Sequence, residues 1–202
     1  TANDAFKPVT RYFDRITRPE QIIQSFPNAV QTMLDPADCG PACISLCQDI
    51  QGQTFEYPEE FFKERIHSIR RPRPDDFQIK EAAEKIKKSK NPIIISGGGV
   101  FYSNAMEELS NFATKHNIPV TQTVMGYSTM KRDHSHYAGQ IGGLGGKNTN
   151  DLAKETDLAI AVGTKLADFT TGSWANFENK KFRLVSINVS RFDANKHLAQ
   201  AV

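Results

Sequence analysis

Three consecutive glycines directly after a short apolar run are the strongest candidate for a ligand site in this sequence. The three isoleucines at residues 93–95 are β-branched and too few for a helix, so they predict a strand buried on both faces. Gly97, Gly98 and Gly99 lack a Cβ atom, so they allow a sharp turn and the close approach of another group. A strand, a glycine turn and a helix together commonly hold a phosphate or nucleotide. The alternative is a tight turn without a ligand.

A second glycine-rich segment, residues 139–146, reads Gly-Gln-Ile-Gly-Gly-Leu-Gly-Gly and precedes a polar helix start at residues 148–151. Its spacing matches neither the dinucleotide fingerprint nor a P-loop, and no Gly-Lys-Ser/Thr is present. The segment therefore predicts either a second phosphate cradle or a mobile surface loop.

Side chains that bind metals occur in two short clusters. His134 and His136 have the spacing of a zinc-binding pair, but no third ligand accompanies them, so we expect a structural or solvent-facing role. Cys39, Cys43 and Cys47 are spaced by four, but a Gly-Pro pair interrupts the helix that would align them. Their odd number fits reduced thiols, and we expect small buried hydrophobic residues rather than metal ligands.

Catalytic machinery is not visible in the spacing of the residues. Asp168 follows a predicted strand, where its carboxylate can either hold a ligand hydroxyl or cap the next helix, and we prefer the cap. No Ser-His-Asp order, nucleophile elbow or carboxylate pair follows from spacing alone. The residues by themselves therefore predict a binding architecture.

Alternating helix and strand patterns after residue 75 would position these candidates. Strands are predicted at residues 93–95, 119–124, 157–162 and 183–189, separated by helix-length segments. Near-continuous apolar strands of this kind predict a parallel α/β sheet covered on both faces, with ligands at the carboxyl ends of the strands. Those ends carry Gly97 to Gly99, Thr123 to Gly126, Gly163 to Lys165, and Asn188 to Ser190.

The first third of the chain predicts fewer elements. A helix capped by Thr17 and interrupted or kinked at Pro27 precedes a strand at residues 42–47. One helix and one or two strands cannot enclose a core alone, so we expect them to pack against residues outside this sequence or against another chain. Arg-Arg-Pro-Arg-Pro at residues 70–74 predicts an extended linker, or alternatively a basic binding patch.

Composition restricts the class of protein. The 202 residues are 39% hydrophobic and 24% charged with a net charge of +2, which argues against nucleic acid or a membrane surface as the main partner. No apolar run is long enough to span a bilayer, and the start of the sequence lacks a signal-peptide pattern. We therefore expect a cytoplasmic protein.

Several segments carry a pattern that goes beyond these features. They are residues 91–99 (Asn-Pro-Ile-Ile-Ile-Ser-Gly-Gly-Gly), 118–123 (Ile-Pro-Val-Thr-Gln-Thr), 136–139 (His-Tyr-Ala-Gly), 157–168 and 185–190 (Val-Ser-Ile-Asn-Val-Ser). Together they resemble the central domain of thiamine-diphosphate-dependent enzymes of the acetolactate synthase type, and residues 1–51 resemble the end of the pyrimidine-binding domain. The resemblance implies a Rossmann-like doubly wound parallel sheet at 76–202, a linker at 52–75 and a partial α/β pyrimidine-domain segment at 1–51.

Residues 10–21, 57–67 and 168–172 are similar, more narrowly, to the member of this family that acts in inositol catabolism. The resemblance implies ring opening of trihydroxycyclohexane-1,2-dione to 5-deoxyglucuronate by hydrolysis, with thiamine diphosphate and magnesium, in a homo-oligomeric full-length enzyme. The family's activating glutamate and its magnesium and diphosphate motif fall outside the matching segments. We therefore expect a catalytically incomplete piece that depends on other domains of its polypeptide and by itself binds neither the cofactor nor the cyclic polyol diketone substrate.

In flavin-dependent relatives the central domain holds FAD at the strand ends. By position, the resemblance implies cofactor contacts at Gly97, Gly98, Gly99, Thr123, Gly163, Thr164, Lys165, Asp168 and Asn188. Whether FAD or any nucleotide binds here stays open, and a stand-alone FAD/NAD-type nucleotide-binding module is the alternative function. The chain lacks the paired-cysteine zinc ribbon of the NAD-dependent deacylases and the Gly-x-Gly-x-x-Gly of dehydrogenases.

Overall fold

The computed structural model describes residues 1–202, the side chain of Ala201 excepted. The chain divides into two compact units, Thr1–Arg71 and Pro72–Val202. Among the described residues, no helix combines the length and apolar character needed to cross a membrane.

The first unit contains a small parallel sheet and one long helix. Its elements are α1 (Ala2–Phe6), β1 (Tyr12–Ile16), α2 (Ile22–Leu34), β2 (Ala42–Leu46) and α3 (Gln48–Gln51), with 3-10 helices at Lys7–Val9, Pro19–Gln21 and Glu59–Phe62. Strands β1 and β2 pair in parallel, and α2 is the crossover that a parallel pair requires. Helix α2 packs against both strands and buries Ser25 and Ala29.

The structure differs from three predictions for the first unit. Thr17 does not cap the helix; instead the side chain of Gln21 accepts hydrogen bonds from the backbone N–H groups of Thr17 (2.7 Å) and Arg18 (2.9 Å). The helix then continues through Pro27 without restarting. The strand predicted at residues 42–47 ends at Leu46. Residues 48–51 form the short helix α3 and do not pair with β1, so Cys47 lies between the strand and that helix.

The second unit is a six-stranded parallel sheet with helices between the strands. The strands are β3 (Pro92–Ser96), β4 (Val120–Gln122), β5 (Tyr137–Gln140), β6 (Leu158–Val162), β7 (Arg183–Ile187) and β8 (Gln200–Ala201). The helices are α4 (Asp76–Lys88), α5 (Gly98–Tyr102), α6 (Met106–His116), α7 (Lys147–Glu155), α8 (Asp168–Thr171) and α9 (Arg191–Asn195), with 3-10 helices at Val124–Gly126 and Lys196–Leu198.

The strand order β5-β4-β3-β6-β7-β8 runs outward from the middle in both directions. This is the strand order of a doubly wound dinucleotide-binding fold. In that fold successive strands are added first to one side of the first strand and then to the other, and the reversal lies between the first and fourth strands, here β3 and β6. The predicted Rossmann-like parallel sheet is confirmed. Strands β1, β5 and β8 were missed, because β5 contains no apolar run and β8 has only two residues.

Successive residues of β3 enter two cores, one on each face of the sheet. Ile94 packs in a cluster with Val120 and Val185, whereas Ile93 and Ile95 belong to the cluster on the opposite face. Side chains of a strand alternate between the faces, so a strand that is covered on both sides needs an uninterrupted apolar run. The isoleucine run is therefore explained by the position of β3 in the centre of the sheet.

The turn between α4 and β3 is fastened by the carboxylate of Asp157. This carboxylate accepts hydrogen bonds from the hydroxyl of Ser89 and from the backbone N–H groups of Lys90 (2.8 Å) and Asn91 (3.1 Å). Burial by itself raises the pKa of Asp157, but these hydrogen bonds outweigh it, so the pKa lies below its ordinary value. The ionised form thus stabilises the folded state.

We expect the substitution Asp157→Asn to lower the free energy of unfolding at pH 7 by on the order of 1 kcal/mol, a value reduced because the site is half-exposed. A depressed folded-state pKa contributes stability that is present above the unfolded pKa and is lost as the pH falls through the folded pKa. The difference between wild type and variant should therefore shrink below about pH 4. Denaturant unfolding from pH 7 to pH 3 measures it, with the exposed Asp133→Asn as control. A difference that stays constant with pH would contradict this role.

Candidate functional site

The two glycine turns that follow β3 and β6 meet at the point where the strand order reverses. The N–H of Gly97 donates to the carbonyl of Val162 (2.9 Å), and the N–H of Gly99 donates to the carbonyl of Gly163 (2.8 Å). Two amides of the first glycine turn are therefore bonded to the neighbouring strand end.

Gly99 and Gly163 are required by the distance between the two turns. A Cβ atom added to Gly99 would lie 2.5 Å from the Cα of Gly163, and one added to Gly163 would lie 2.6 Å from the Cα of Gly99. Gly163 also has φ +58°, a conformation that residues with side chains rarely adopt. The glycines thus join two backbone segments, and their missing side chains are replaced by protein rather than by open space.

The chain after β4 is held against the same turn. Thr123 is buried, and its hydroxyl accepts a hydrogen bond from the N–H of Gly126 (3.0 Å), which caps the 3-10 helix Val124–Gly126. A Cβ atom on Gly126 would overlap the carbonyl oxygen of Ser96. Three loops at the carboxyl edge of the sheet are therefore packed backbone to backbone.

A buried polar network supports this edge of the sheet. The hydroxyl of Thr129 donates to the carbonyl of Gly126 (2.7 Å), accepts from the side-chain amide of Gln122 (3.2 Å) and lies 2.6 Å from the hydroxyl of Ser96. Ser96, Gln122 and Thr129 are each no more than 1% exposed. Buried polar groups of this kind are stable only when they are paired, so the network fixes the loop geometry.

The remaining predicted contacts lie after β6 and β7. The hydroxyl of Thr164 accepts from the N–H of Leu166 (3.2 Å), and the amide of Asn188 donates to the carbonyl of Thr164 (3.0 Å). Lys165 is exposed. The prediction that Asp168 caps the next helix is wrong, because Asp168 is the first residue of α8. Its carboxylate accepts a hydrogen bond from the hydroxyl of Ser173 (2.8 Å).

The second glycine-rich segment is hydrogen-bonded to α7 and α8. The side chain of Asn150 accepts from the N–H of Gly142 (2.9 Å) and donates to its carbonyl (3.1 Å). The N–H of Gly143 donates to the carbonyl of Phe169 (2.8 Å). These bonds give the segment a defined structure and use part of the hydrogen-bonding capacity that a phosphate would need.

The histidine pair has structural partners. Nδ1 of His134 accepts from the backbone N–H of His136 (3.2 Å), and the ring of His136 contacts the hydroxyl of Ser135 (3.0 Å) and the side-chain oxygen of Asn117 (3.0 Å). The described residues contain no group of three or more His, Cys, Asp or Glu side chains that could hold a metal ion. A cleft of about 430 Å³ beside Asn117 and His136 opens at the amino ends of β4 and β5, on the edge opposite the glycine turns.

The interpretation of the cysteines as buried hydrophobic residues is wrong for Cys39, which is exposed, while Cys43 and Cys47 are half-buried. The sulfur of Cys47 accepts a hydrogen bond from Nε of Arg15 (3.4 Å). Among the described residues, neither apolar cluster includes the turn before β2 that carries Cys39.

The structure thus brings Gly97, Gly99, Gly163 and Thr164 together around the end of β3. Sequence reasoning identified these residues and the nearby Gly126, and it missed the buried polar network of Ser96, Gln122 and Thr129 that supports them. The sequence does place polar residues at Gln122 and Thr129 beside a strand end, but their spacing gives no measure of their burial.

Comparisons with known proteins agree with this geometry. Residues 79–202 match the family described as thiamine pyrophosphate enzyme, central domain. A protein from Clostridium botulinum (strain Alaska E43 / Type E3), named 3D-(3,5/4)-trihydroxycyclohexane-1,2-dione hydrolase, is 48% identical over 196 residues, which is 97% of this chain and 30% of that protein. The protein of the same name from Bacillus subtilis (strain 168) is 44% identical over 97% of this chain and 31% of its own length.

A solved structure shares the fold. Benzoylformate decarboxylase from Polynucleobacter necessarius superposes with a TM-score of 0.76 at 22% identity, covering 98% of this chain and 36% of that one. The chain therefore spans about a third of the length of the relatives that it matches.

Proposed function

The chain belongs to the thiamine pyrophosphate enzyme family, and from this premise we propose that it forms part of an enzyme that hydrolyses trihydroxycyclohexane-1,2-dione. The observation that carries the proposal is the 48% identity to a hydrolase of that name across 97% of the chain. Because the match covers 30% of that relative, the activity is proposed for a polypeptide of the relative's length.

The proposed reaction cleaves the bond between the two carbonyl carbons of the cyclic dione. Addition of one water converts one carbonyl carbon to a carboxylic acid and the other to an aldehyde, so the ring opens without loss of a carbon atom. The product is an open-chain aldehyde acid, here 5-deoxyglucuronate.

We propose that thiamine diphosphate and its metal ion are held by parts of the enzyme other than the residues of this chain. The described residues of the chain lack a cluster of three metal-binding side chains. The amides of Gly97 and Gly99 lie at the strand end where a doubly wound fold holds the pyrophosphate of a dinucleotide, and here they donate to backbone carbonyls. We therefore derive no catalytic step from these residues and propose that they act as a scaffold within the enzyme.

A scaffold needs a surface through which it contacts the rest of the enzyme, and the carboxyl edge of the sheet offers one. Large apolar side chains follow the ends of several neighbouring strands, and each is more than half exposed: Phe101 57%, Met125 73%, Leu144 64%, Phe169 70% and Phe192 78%. Clustered exposure of this kind is unusual for a free surface. We propose that other domains of the same polypeptide cover this edge.

Finer features of the proposal rest on the resemblance to the family. They are magnesium as the second cofactor, a cytoplasmic location and a homo-oligomeric enzyme. The nine residues assigned by position to a flavin site stay a prediction, and the names of the relatives give no support to a stand-alone FAD/NAD-type module.

The proposal is tested by an activity assay on two proteins, residues 1–202 and the same residues within a polypeptide of the length of the curated relatives. With the dione, thiamine diphosphate and Mg²⁺, the longer protein should consume the dione and release the aldehyde acid, whereas residues 1–202 should not. Omission of thiamine diphosphate should abolish the reaction. A longer protein that is folded and loaded with cofactor but leaves the dione unchanged would refute the proposed substrate.

A further inference from the structure

A basic cleft of about 230 Å³ opens at the amino end of β7, beside the edge strand β8. Its polar lining consists of Lys85 from α4, Arg183 at the start of β7, His197 and Gln200. No carboxylate is among the described residues that line it. We propose that this basic cleft binds a small oxyanion, namely the phosphate or carboxylate group of a metabolite.

The cationic groups of the cleft lack acidic partners. Nζ of Lys85 donates to the side-chain oxygen of Gln200 (2.9 Å), which fixes a half-buried ammonium group at the cleft wall. The ion pairs of the described part of the chain include neither Lys85 nor Arg183; the nearby Lys196 is paired with Asp193 and Lys154 with Glu178. Lys85 and Arg183 line the same cleft, so their positive charges repel each other, and a bound anion lowers that repulsion.

An apolar wall lies next to these donors. Phe182 and Leu184 line the cleft, and the ring of Trp174 contacts His197 edge-on with 4.9 Å between ring centroids. Trp174 and His197 both have positive φ, 66° and 74°, which is a costly conformation for residues with side chains. The wall suits the carbon skeleton of a ligand whose charged end reaches the cations.

The size of the cleft limits the ligand. Its volume of about 230 Å³ is smaller than the roughly 300–1,000 Å³ of sites for drug-sized molecules. This volume corresponds to about eight water molecules in the liquid. Arginine binds planar and tetrahedral oxyanions through paired N–H groups, so Arg183 is suited to either a carboxylate or a phosphate. A dinucleotide is too large for this cleft.

Trp174 provides a local readout, because it is the only tryptophan in the sequence and it contacts His197. Residues 1–202 are titrated with inorganic phosphate, and in parallel with acetate, at constant ionic strength set with sodium chloride. We expect a saturable change in Trp174 emission with at least one of the two anions. A response to phosphate alone assigns the site to phosphate groups, and a response to acetate alone assigns it to carboxylates.

Two variants test the assignment. Arg183→Gln and Lys85→Gln should each raise the half-saturating anion concentration at least tenfold. Lys115→Gln on α6, outside the cleft, should leave it unchanged. Far-UV circular dichroism verifies that each variant is folded, and a thermal shift with the anion, lost in the two cleft variants, provides a second measurement. Absence of a saturable response to both anions, or a response that persists in both cleft variants, would overturn the proposal.

Discussion

Replacement of Gly163 with alanine is expected to lower the free energy of unfolding by about 2–5 kcal/mol. The left-handed conformation at φ +58° costs alanine about 1–2 kcal/mol, and the new Cβ atom would lie 2.6 Å from the Cα of Gly99, which adds about 1–3 kcal/mol of overpacking. Domains of this size have a total stability of roughly 5–15 kcal/mol. The variant should therefore be partly unfolded or strongly destabilised.

Denaturant unfolding of purified protein measures this effect, and Gly143→Ala is the matched control. A Cβ atom on Gly143 would meet its neighbours at 3.5 Å or more, which is ordinary contact, and its φ is not positive. The control should change stability by less than about 1 kcal/mol. Equal stability of Gly163→Ala and the wild type would show that the two turns are not closed on each other.

The substitution Thr129→Val is expected to cost about 2–4 kcal/mol. Valine keeps the shape of threonine but removes the hydroxyl shared by Ser96, Gln122 and the carbonyl of Gly126. The hydroxyl of Ser96 loses its partner, which costs about 1–3 kcal/mol, and two further hydrogen bonds of about 0.5–1.5 kcal/mol each are lost. The loss is limited because the Gln122 amide still donates to the carbonyl of Met130 and the Gly126 carbonyl still accepts from the N–H of Thr129. Thr129→Ser keeps the hydroxyl and should restore part of the stability.

The same substitution at an exposed position is the control for Thr129→Val. Thr114 lies on α6, where its hydroxyl donates to the carbonyl of Ser110 (2.9 Å) in the same helix, and its side chain is exposed. Thr114→Val should change the free energy of unfolding by less than about 0.5 kcal/mol. If both variants were equally stable, the polar network would not support the loops.

The central strand and its burial on both faces were predictable because the signal lay within a few consecutive residues, whereas the doubly wound class was implied by the family resemblance. Ile93, Ile94 and Ile95 are apolar without alternation, and only a strand covered on both faces requires that pattern. Strand β5, Tyr137–Gln140, lacks such a run and was not predicted, because it becomes a strand only through its pairing with β4 in the fold. Helix α2 likewise continues through Pro27, although proline disfavours the interior of a helix, because tertiary packing outweighs this local propensity.

The candidate site was predictable in its members but not in its contacts. Glycines at residues 97–99 and at Gly163 follow strands in the sequence, so their position at the carboxyl edge follows from the topology. Whether such a glycine faces a ligand or another backbone depends on the distance between loops about 60 residues apart, which spacing does not encode. The close approach of Gly99 and Gly163 therefore emerged only from the structure.

Titration calorimetry of thiamine diphosphate with Mg²⁺ into residues 1–202 tests the central claim, that this chain is a scaffold whose glycine turns close on each other. We expect no heat of micromolar binding to these residues, and micromolar binding to a polypeptide of the length of the curated relatives. Micromolar binding to residues 1–202 alone would contradict the claim, because it would require these residues to hold the cofactor by themselves.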